Sequence, residues 1–373
     1  MLIGIDCHNL ETYRTGTARY LLNLLKCWSV EKDVDFILYF KNKIPKDIPC
    51  LAGRQACLAG RRAESKNFEK KVLNSGSNAL FMHYYLPRAA KKDKIDILFC
   101  PNYVAPIFYK GKIALVLHDI IYEARPDLYN WPSVFDKILL KKISKISAKK
   151  ADIIFTCSEF SKKEILKHYK VDPKKVFVIP LAADFEYYQK TIPKILRKYG
   201  IKDKFIFYVG SIFDRRFIPE TIKAFSKLKN KLPNYQFLII GKNYTKNKIT
   251  GEKIIHVDFV EANDLVFLYN NSDLFVWLSS YEGFGLPPLE AMACGTPVIT
   301  TKMGSLPEVV GEAALFVDNP NDINEISDKI YKGLTDKNLR EKLIKKGLAQ
   351  AQKFSWQKTA EKTLEVLLDY EKR

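Results

Sequence analysis

The fold is decided by the stretch Ser279-Ser280-Tyr281-Glu282-Gly283-Phe284-Gly285-Leu286-Pro287-Pro288-Leu289-Glu290-Ala291-Met292-Ala293-Cys294-Gly295-Thr296-Pro297. It follows an apolar run, residues 274–278, that is typical of a buried strand, and its two prolines mark the first turn of a helix. Ligands of open α/β sheets bind beyond the carboxyl ends of strands, where Glu282 lies. The glycines let backbone N–H groups approach a ligand, and the helix start favours negative charge such as a phosphate. Glu282 and Glu290, with seven residues between them, can accept hydrogen bonds from ligand hydroxyls.

These residues also have purely structural explanations. Glu290 can complement a helix dipole, Gly295 can end the helix, and the glycines of the loop can simply form a turn. Either glutamate alone is therefore weak evidence. The combination of loop, helix start and two carboxylates is what indicates a binding site.

Short apolar runs rich in β-branched and aromatic residues alternate with helical patterns along the rest of the chain. Each run predicts a strand. The predicted strands are residues 2–7, 36–40, 95–100, 113–117, 152–157, 176–180, 205–209, 236–240, 254–257, 274–278, 298–300 and 314–317. Such alternation predicts parallel sheets with both faces covered by helices, which is the α/β class. The pattern is weakest between residues 53 and 94, where we expect loops or a surface helix.

The length of 373 residues suits two domains of average size. The strand series is interrupted between residues 181 and 199, so we place a boundary near residue 186. This predicts two Rossmann-like doubly wound domains, 1–185 and 186–354, facing an interdomain cleft. Residues 355–373 carry an apolar helical pattern from Trp356 to Leu367 and predict a C-terminal helix that packs back toward the N-terminal domain.

The formal net charge of +19 is spread over the whole length and is not concentrated in one block. A broadly basic surface attracts nucleic acid, anionic lipid head groups or phosphorylated substrates, and composition does not choose among them. The sequence shows no helix-turn-helix, zinc finger or RNP-type aromatic string. A nucleic-acid-binding protein is therefore supported by net charge alone.

The seven cysteines are scattered and include no Cys-x-x-Cys pair, which argues against a disulfide framework or a metal site. The N-terminal run reaches Asp6 too soon for a signal peptide, and no apolar stretch approaches the length that spans a bilayer. We expect a cytoplasmic protein, with a peripheral position at the inner face of the membrane as the alternative.

The motif Glu-Gly-Phe-Gly-Leu, followed by Pro-Leu-Glu-Ala-Met-Ala-Cys-Gly-Thr-Pro-Val-Ile, covers residues 282–299. Over its whole length it resembles the signature of retaining glycosyltransferases of family 4. The resemblance implies the two-domain GT-B fold and an enzyme that moves a sugar from a nucleotide-sugar donor to an acceptor hydroxyl. Members of this family generally need no metal, so no cofactor is expected beside the nucleotide sugar.

Asp214-Arg215-Arg216 lies between the strand that ends near Ser211 and the next predicted helix. Two guanidiniums at a helix entrance suit a diphosphate because each offers a planar fork of donors, although a solvated basic turn has the same sequence. The resemblance implies that the donor diphosphate binds here, with Arg216 as the main contact and Arg215 as the second choice. Phe217 replaces an asparagine of the family pattern, and Ser211 stands where many members carry another arginine.

Three further motifs lie in the N-terminal half. Thr15-Gly16-Thr17-Ala18-Arg19-Tyr20 opens a helix predicted to reach about Trp28, and Gly16 can admit a phosphate or hydroxyl to the backbone amides or merely form the turn. The family often has two glycines in this loop, and this chain has one. His118-Asp119 follows the strand 113–117. A lone histidine is often structural, but the resemblance implies that His118 contacts the transferred sugar. The later turn around Ser158 also resembles the family, and Ser158 should cap the next helix.

The resemblance assigns a role to each residue of this donor site. Glu282 and His118 orient the sugar hydroxyls, Glu290 binds the ribose, and Arg216 holds the diphosphate together with Arg215 and nearby backbone amides. The catalytic set is His118, Glu282 and Arg216; the donor-binding set is Gly16, Ser211, Arg215, Arg216, Gly283, Phe284, Gly285, Leu286 and Glu290. No covalent nucleophile is required if the leaving phosphate oxygen takes the acceptor proton on the same face.

The segments 209–211 and 304–310 look most like mannosyltransferases that use GDP-mannose, and a UDP-hexose is the alternative donor. The basic surface and the resemblance favour an acceptor that is a growing polysaccharide or a lipid-linked saccharide at a cytosolic membrane face. A phosphorylase of the same fold would need a cofactor lysine site, which the sequence does not show.

Residues 131–150 predict a basic amphipathic helix. Val134, Ile138, Leu139, Ile143 and Ile146 lie near one face, and lysines crowd the other. Such a helix either lies on anionic lipid or packs its apolar face on the core and exposes the lysines. The aromatic run 81–88 is a second candidate for an acceptor-facing or membrane-facing surface, with ordinary packing as its alternative.

Overall fold

The computed structural model describes residues 1–11, 16–46, 48, 67–129, 131, 133–184, 193–202 and 204–371. The chain divides into two compact units. The first comprises Met1–Ala124, Trp131–Leu181 and Trp356–Arg373, and the second comprises Arg125–Asn130 and Ala182–Ser355. The predicted boundary at residue 186 lies outside the described residues.

The first unit is built on a parallel sheet. Its strands are β1 (Leu2–Asp6), β2 (Asp35–Phe40), β3 (Phe68–Val72), β4 (Ile97–Cys100), β5 (Lys112–Val116), β6 (Ile153–Thr156) and β7 (Val176–Val178). They are arranged in the order β3-β2-β1-β4-β5-β6-β7, and every neighbouring pair is parallel. The order reverses between β1 and β4, so the topological switch point of this doubly wound sheet lies there.

Helices lie between several consecutive strands of the first unit. They are α1 (Gly16–Trp28), α2 (Asn78–Leu80), α3 (Leu86–Lys92), α4 (Ile121–Ala124), α5 (Val134–Lys150) and α6 (Glu159–Tyr169). The π-helical segment Phe81–Tyr85 joins α2 to α3. Its residues Phe81 and Met82 are buried, whereas Tyr84 and Tyr85 are exposed.

The second unit repeats this plan. Its strands are β8 (Lys204–Val209), β9 (Tyr235–Ile240), β10 (Ile254–Val257), β11 (Leu274–Trp277), β12 (Val298–Thr301) and β13 (Ala314–Val317). They form a parallel sheet in the order β10-β9-β8-β11-β12-β13. The switch point of the second sheet therefore lies between β8 and β11.

The remaining helices belong mainly to the second unit. They are α7 (Pro193–Lys198), α8 (Ile218–Ser226), α9 (Ala262–Asn271), α10 (Leu286–Ala293), α11 (Leu306–Val310), α12 (Ile323–Thr335), α13 (Lys337–Ala351) and α14 (Trp356–Glu371). The last of them, α14, belongs to the first unit and packs on α1, where the indole N–H of Trp28 donates to the Ala360 carbonyl at 3.1 Å.

The predicted fold class, two Rossmann-like doubly wound α/β domains, is confirmed. Parallel strands that are buried on both faces appear in the sequence as continuous apolar runs, so they are easy to predict. All twelve predicted strands are present, and their bounds differ by no more than two residues from those expected. The sequence analysis missed β3. This strand is half-buried at the sheet edge and carries charged residues at Glu69 to Lys71, so its pattern is not apolar.

Helix α5 packs on the core, but not through the apolar face that the sequence predicted. Its fully buried residues include Ser144, Ser147 and Ala148, whereas Ile138 and Ile146 are exposed. The hydroxyl of Ser147 accepts a hydrogen bond from the Ala105 amide at 3.1 Å. Small residues let the helix approach the sheet closely, so the apolar pattern did not identify the buried face.

Among the described residues, no helix is both long enough and apolar enough to cross a membrane.

Candidate functional site

An ion pair lies at the switch point of the second sheet. Arg216 follows β8 in the short turn Asp214–Arg216, and Glu282 follows β11. Nη1 of Arg216 donates to Oε1 of Glu282, although 66 positions separate them in the chain. The two side chains are only 9% and 11% exposed. The pair is therefore largely shielded from solvent, and each charge depends on the other for its stabilisation.

Trp277, the last residue of β11, supports this pair. The guanidinium carbon of Arg216 lies 3.9 Å from the centroid of the Trp277 ring system, within cation–π range. Tyr208 of β8 stacks on Trp277 at 5.2 Å. Gly210 has φ +147°, and a Cβ there would lie 2.8 Å from the Trp277 ring. A glycine at position 210 is therefore what allows Trp277 to lie beneath Arg216.

Three buried donor groups close to the ion pair have no hydrogen-bond acceptor among the described residues. They are Nε of Arg216, Nε1 of Trp277 and Oγ of Ser280. The backbone N–H of Ser280 donates to the Arg215 carbonyl at 3.1 Å, which holds the two loops together. A buried donor left without an acceptor costs about 1–3 kcal/mol, so such groups usually have a partner. Together they can donate to the oxygens of an anionic ligand.

The two adjacent arginines have different surroundings. Arg216 is buried against Glu282, whereas the half-buried Arg215 places its guanidinium 4.5 Å from the centroid of Phe213. Phe213 in turn stacks on Tyr244 at 5.0 Å. Ser211, the other residue predicted in this region, is exposed.

Two residues outside the quoted motif position the loop that carries Glu282. Oγ of the fully buried Ser305 donates to the carbonyls of Glu282 at 3.0 Å and Phe284 at 2.8 Å. Gly304 has φ +63°, and a Cβ there would lie 2.8 Å from the Glu282 backbone nitrogen. The sequence analysis had not assigned these two residues a role. The available signal was a glycine and a serine directly before α11.

Helix α10 begins at Leu286 with prolines in its first turn, as predicted. Gly285 precedes it as the N-cap residue with φ +104° and has no side chain that could cap the first N–H groups. Gly283, Phe284 and Gly285 are all buried.

Glu290 lies within α10 and has an environment different from that of Glu282. It is 2% exposed, and its Oε2 accepts a hydrogen bond from the Tyr269 hydroxyl at 3.0 Å. The two glutamates of the motif are thus held by different partners, an arginine for Glu282 and a tyrosine for Glu290.

Polar side chains also meet at the switch point of the first sheet. Nδ1 of His8 lies 2.6 Å from Oδ1 of the fully buried Asp6, and Asn9 donates to Asn102, which follows β4. Burial alone would lower the pKa of His8, but the Asp6 carboxylate raises it above its ordinary value. Oδ2 of Asp6 and Nδ2 of Asn102 are buried and have no partner within the described ranges. The sequence analysis did not assign this cluster a role, although polar residues directly after the first strand were its signal.

Gly16 and His118 belong to the first unit. Gly16 is the first residue of α1, and a Cβ there would have no atom of the described residues within 4 Å, so packing against them does not require glycine. The ring of His118 meets that of Tyr20 edge-on at 4.7 Å. Burial lowers the pKa of His118 to about 4, so its imidazole is neutral at pH 7. Neither ring nitrogen has a partner in the described part of the chain.

The predicted cap of α6 is confirmed. The hydroxyl of Ser158 accepts a hydrogen bond from the backbone N–H of Ser161 at 3.0 Å. Ser161 and Cys157 also donate to the carbonyl of His118, each at 3.0 Å. This turn therefore holds the backbone that carries His118.

Within the described ranges, no three His, Cys, Asp or Glu side chains are grouped so that they could hold a metal ion. The described cysteines, at positions 7, 27, 100, 157 and 294, are free thiols.

Two family models match the chain in succession. Residues 14–187 match the model described as Glycosyltransferase Family 4, and residues 191–350 match the model described as Glycosyl transferases group 1. The first match falls mainly on the first unit and the second match falls within the second unit, whereas α14 lies outside both matches.

Curated relatives are named as mannosyltransferases. The O-antigen chain mannosyltransferase B of Escherichia coli is 28% identical over 366 residues, which are 94% of this chain and 95% of that protein. The serotype-specific mannosyltransferase WbdA of Escherichia coli is 31% identical over 272 residues, which are 68% of this chain. The match covers 33% of WbdA, so the chain spans about a third of the length of that relative.

A solved structure shares the whole architecture. HepE of Anabaena, in complex with UDP-glucose, superposes with a TM-score of 0.73 at 15% identity and covers 99% of this chain and 100% of that one. This similarity supports the predicted GT-B fold. With a Glycosyltransferase Family 4 domain followed by a group 1 domain, the chain belongs to the GT-B glycosyltransferases.

Proposed function

We propose that this glycosyltransferase moves mannose from GDP-mannose to a hydroxyl of a saccharide or lipid-linked acceptor, with retention at the anomeric carbon. The reaction would serve the synthesis of cell-surface polysaccharide. The names of the relatives favour mannose. The observation that carries the proposal is the buried Arg216–Glu282 pair, surrounded by buried donors, at the switch point of the second sheet.

The diphosphate of the donor binds at Arg216. Its Nε, together with Nε1 of Trp277 and Oγ of Ser280, supplies donors for phosphate oxygens, and Arg215 adds positive charge nearby. The first turn of α10, whose N-cap residue is Gly285, favours the same negative charge. Fixed donors of this kind stabilise a departing diphosphate because they need no reorganisation during the reaction.

The two glutamates bind hydroxyl groups in this proposal. Glu282 accepts from hydroxyls of the transferred sugar while Arg216 holds its carboxylate in place. Glu290, oriented by Tyr269, accepts from the ribose. The neutral imidazole of His118 acts as a hydrogen-bonding group and not as an acid.

The chemical step requires no protein nucleophile. The acceptor oxygen forms a bond to the anomeric carbon on the face from which the diphosphate departs, and the bond to the phosphate oxygen breaks. The acceptor proton passes to that departing oxygen. We propose that the reaction needs no metal, so turnover should persist in the presence of EDTA.

The acceptor hydroxyl is assigned to the switch point of the first sheet. The buried carboxylate of Asp6 offers an acceptor, Asn102 offers a donor, and His8, which is bonded to Asp6, has a side chain that is 15% exposed. Pairs of donors and acceptors at the carboxyl ends of strands suit a saccharide. A lipid-linked acceptor would lie in the membrane, and for that reason we propose a peripheral position at the inner face of the cytoplasmic membrane.

A UDP-hexose is the second candidate donor. The HepE structure contains UDP-glucose, which makes this class of donor a necessary comparison. The two candidates differ in the base and in the sugar. A panel of GDP-mannose, UDP-glucose, UDP-galactose and their free nucleotides separates them directly.

The test is a thermal-shift and turnover screen with this panel. A ligand present at a hundredfold excess over its dissociation constant stabilises the folded protein by about 3 kcal/mol. We expect GDP-mannose to give the largest shift, and Arg216→Ala and Glu282→Ala to abolish turnover. A wild-type protein that no nucleotide sugar stabilises would contradict the proposal, and a salt-sensitive shift of DNA without turnover would favour the nucleic-acid alternative.

Retention is tested separately. The anomeric configuration of the first product, read by NMR from the coupling between the anomeric carbon and its proton, should match that of the donor. A product of opposite configuration would exclude the same-face mechanism and leave the donor assignment intact.

A further inference from the structure

The helical segment between β3 and β4 contains a π-helical turn. The turn Phe81–Tyr85 lies between α2 and α3, and the backbone N–H of Leu86 donates to the Phe81 carbonyl. Pro87 explains the wider turn, because it has no N–H for the carbonyl of His83, and its ring would clash with that carbonyl in an α-helix. Single π-helical turns are rare and occur frequently at functional sites.

Two tyrosines of this turn are exposed. Tyr84 is 46% exposed and Tyr85 is 37% exposed, and their rings meet edge-to-face with centroids 5.0 Å apart. The guanidinium carbon of Arg88 lies 3.4 Å from the Tyr84 ring centroid, and Nη1 of Arg88 donates to the Tyr84 carbonyl at 3.3 Å. These contacts restrict the rings before a ligand binds, which lowers the entropy lost on binding. We call Tyr84, Tyr85 and Arg88 the aromatic corner.

The aromatic corner adjoins the polar cluster at the switch point of the first sheet. The ring of the buried Phe81 lies 5.3 Å from that of His8, which is bonded to Asp6. Phe81 and Tyr85 are four residues apart, so they lie on nearly the same side of the helical segment. The contacts from Asp6 through His8 and Phe81 therefore lead from the site proposed for the acceptor hydroxyl to the aromatic corner.

We propose that the aromatic corner binds a sugar of the acceptor chain that precedes the sugar carrying the reacting hydroxyl. A pyranose ring has C–H groups on its faces and hydroxyls around its rim. The C–H groups pack on the negatively charged face of an aromatic ring, and the tyrosine hydroxyls and the Arg88 guanidinium donate to the hydroxyls of the rim.

The acceptor is then an extended saccharide and not a single sugar. A single sugar can occupy the polar cluster around Asp6 or the aromatic corner, whereas a longer chain contacts both. This inference rests on the proposed function and specifies the acceptor of that same reaction.

Other ligands match this surface less well. The exposed ends of the aromatic corner are two hydroxyls and one guanidinium, which differ from the contiguous apolar patch of a protein interface. A second copy of the chain would bring two guanidiniums together if two corners paired. The chemistry of the corner therefore favours a saccharide.

The experiment measures saccharide binding by saturation-transfer NMR with the purified full chain and no sugar donor. The probes are methyl α-mannoside and α-linked mannotrioses, because the relatives are named as mannosyltransferases. We expect the wild type to bind a mannotriose on the order of tenfold more tightly than the methyl glycoside, since the longer chain adds a stacking contact. The C–H protons on one face of a sugar should receive the strongest saturation.

Matched variants show whether the rings are responsible. Tyr84→Ala/Tyr85→Ala should remove the preference for the mannotriose, and Tyr84→Phe/Tyr85→Phe should keep most of it because the rings remain. Tyr331→Ala is the control: Tyr331 is 38% exposed on α12, and Nζ of Lys231 lies 5.3 Å from its ring centroid. This control should bind both probes like the wild type.

Three results would overturn the proposal. They are a wild type with no preference for any mannotriose, a phenylalanine variant that loses the preference, and a Tyr331→Ala control that loses as much as the double alanine variant. Sedimentation velocity adds a fourth: a wild-type dimer that Tyr84→Ala/Tyr85→Ala dissociates would assign the aromatic corner to a second copy of the chain.

Thermal stabilisation by GDP-mannose separates this inference from the proposed function. It should be equal in the wild type and in all variants of the aromatic corner. A wild type that GDP-mannose stabilises, but that does not prefer a mannotriose, rejects the aromatic corner alone. A wild type that no nucleotide sugar stabilises rejects the proposed function, whatever its binding of saccharides.

Discussion

The Arg216–Glu282 pair allows a quantitative test of how the second unit is stabilised. Both side chains are nearly buried, so removing one leaves the other as an uncompensated charge. Breaking a buried pair in this way costs about 3–5 kcal/mol. We expect Arg216→Met and Glu282→Gln each to destabilise the second unit by about 3 kcal/mol. This value is at the lower end of the range because both side chains are slightly exposed. For a domain of this size the melting temperature should fall by roughly 6–12 °C.

The double variant is the decisive measurement. Arg216→Met/Glu282→Gln removes both charges and keeps similar side-chain volumes, so no charge is left unpaired. In urea denaturation, the double variant should lose less free energy of unfolding than the two single variants together, and the difference should be about 2–3 kcal/mol. Arg216→Lys provides a control, because it keeps the charge and loses the planar fork over Trp277. Single effects that add within about 0.5 kcal/mol would refute the reasoning.

The same variants test the donor site by titration calorimetry. Glu282→Gln removes a carboxylate next to the proposed diphosphate position, so it should bind GDP at least as tightly as the wild type. Its turnover of GDP-mannose should nevertheless fall strongly, because the sugar hydroxyls lose a charged acceptor with two oxygens and are left with one neutral amide oxygen. GDP affinity that falls in parallel for Glu282→Gln and Arg216→Met would place the diphosphate elsewhere.

Three further changes test individual residues. Gly304→Ala brings a Cβ against the Glu282 backbone and should lower the free energy of unfolding by about 1–3 kcal/mol more than Gly200→Ala. Gly200 is a matched control, because its φ of +74° is similar but it lies in open space. Equal melting temperatures of the two variants would contradict this. Gly16→Ala should leave stability unchanged or raise it by about 0.4–1 kcal/mol while weakening donor turnover, and unchanged kinetics would remove Gly16 from the site. Because burial lowers the pKa of His118 from 6.5 to about 4, the unfolded chain binds more protons below pH 6.5. His118 should contribute about 3 kcal/mol to the loss of stability between pH 6.5 and 4, and urea denaturation of His118→Phe should show a fall that is smaller by that amount.

The elements of the fold were largely predictable because parallel strands buried on both faces must be continuously apolar. This holds for β4, β6 and β11, whose residues are all buried. It fails for β3, since an edge strand is half solvated and tolerates Glu69 and its neighbouring lysines. Strand order was not readable from the pattern, because each strand looks alike whichever neighbour it pairs with.

Some residues of the candidate site, among them Arg216 and Glu282, were also named from the sequence, through a local motif and a family resemblance. What the sequence did not contain was their pairing. The contact of Arg216 with Glu282 spans 66 positions, and it follows from the reversal of strand order between β8 and β11. The supports supplied by Ser305 and Tyr269 likewise come from elements distant in the chain.

The sequence by itself determined the parallel α/β domains, the glycine loop before α10 and the basic character of the chain. These depend on local backbone preference, periodicity and composition, which are properties of neighbouring residues. Tertiary structure alone decided that Glu290 lies buried beside Tyr269, and that α5 turns its serines inward and Ile138 outward. The reason is that burial is set by the packing partner: a helix presents several possible faces, and the hydrogen bonds made by Ser144 and Ser147 select one of them.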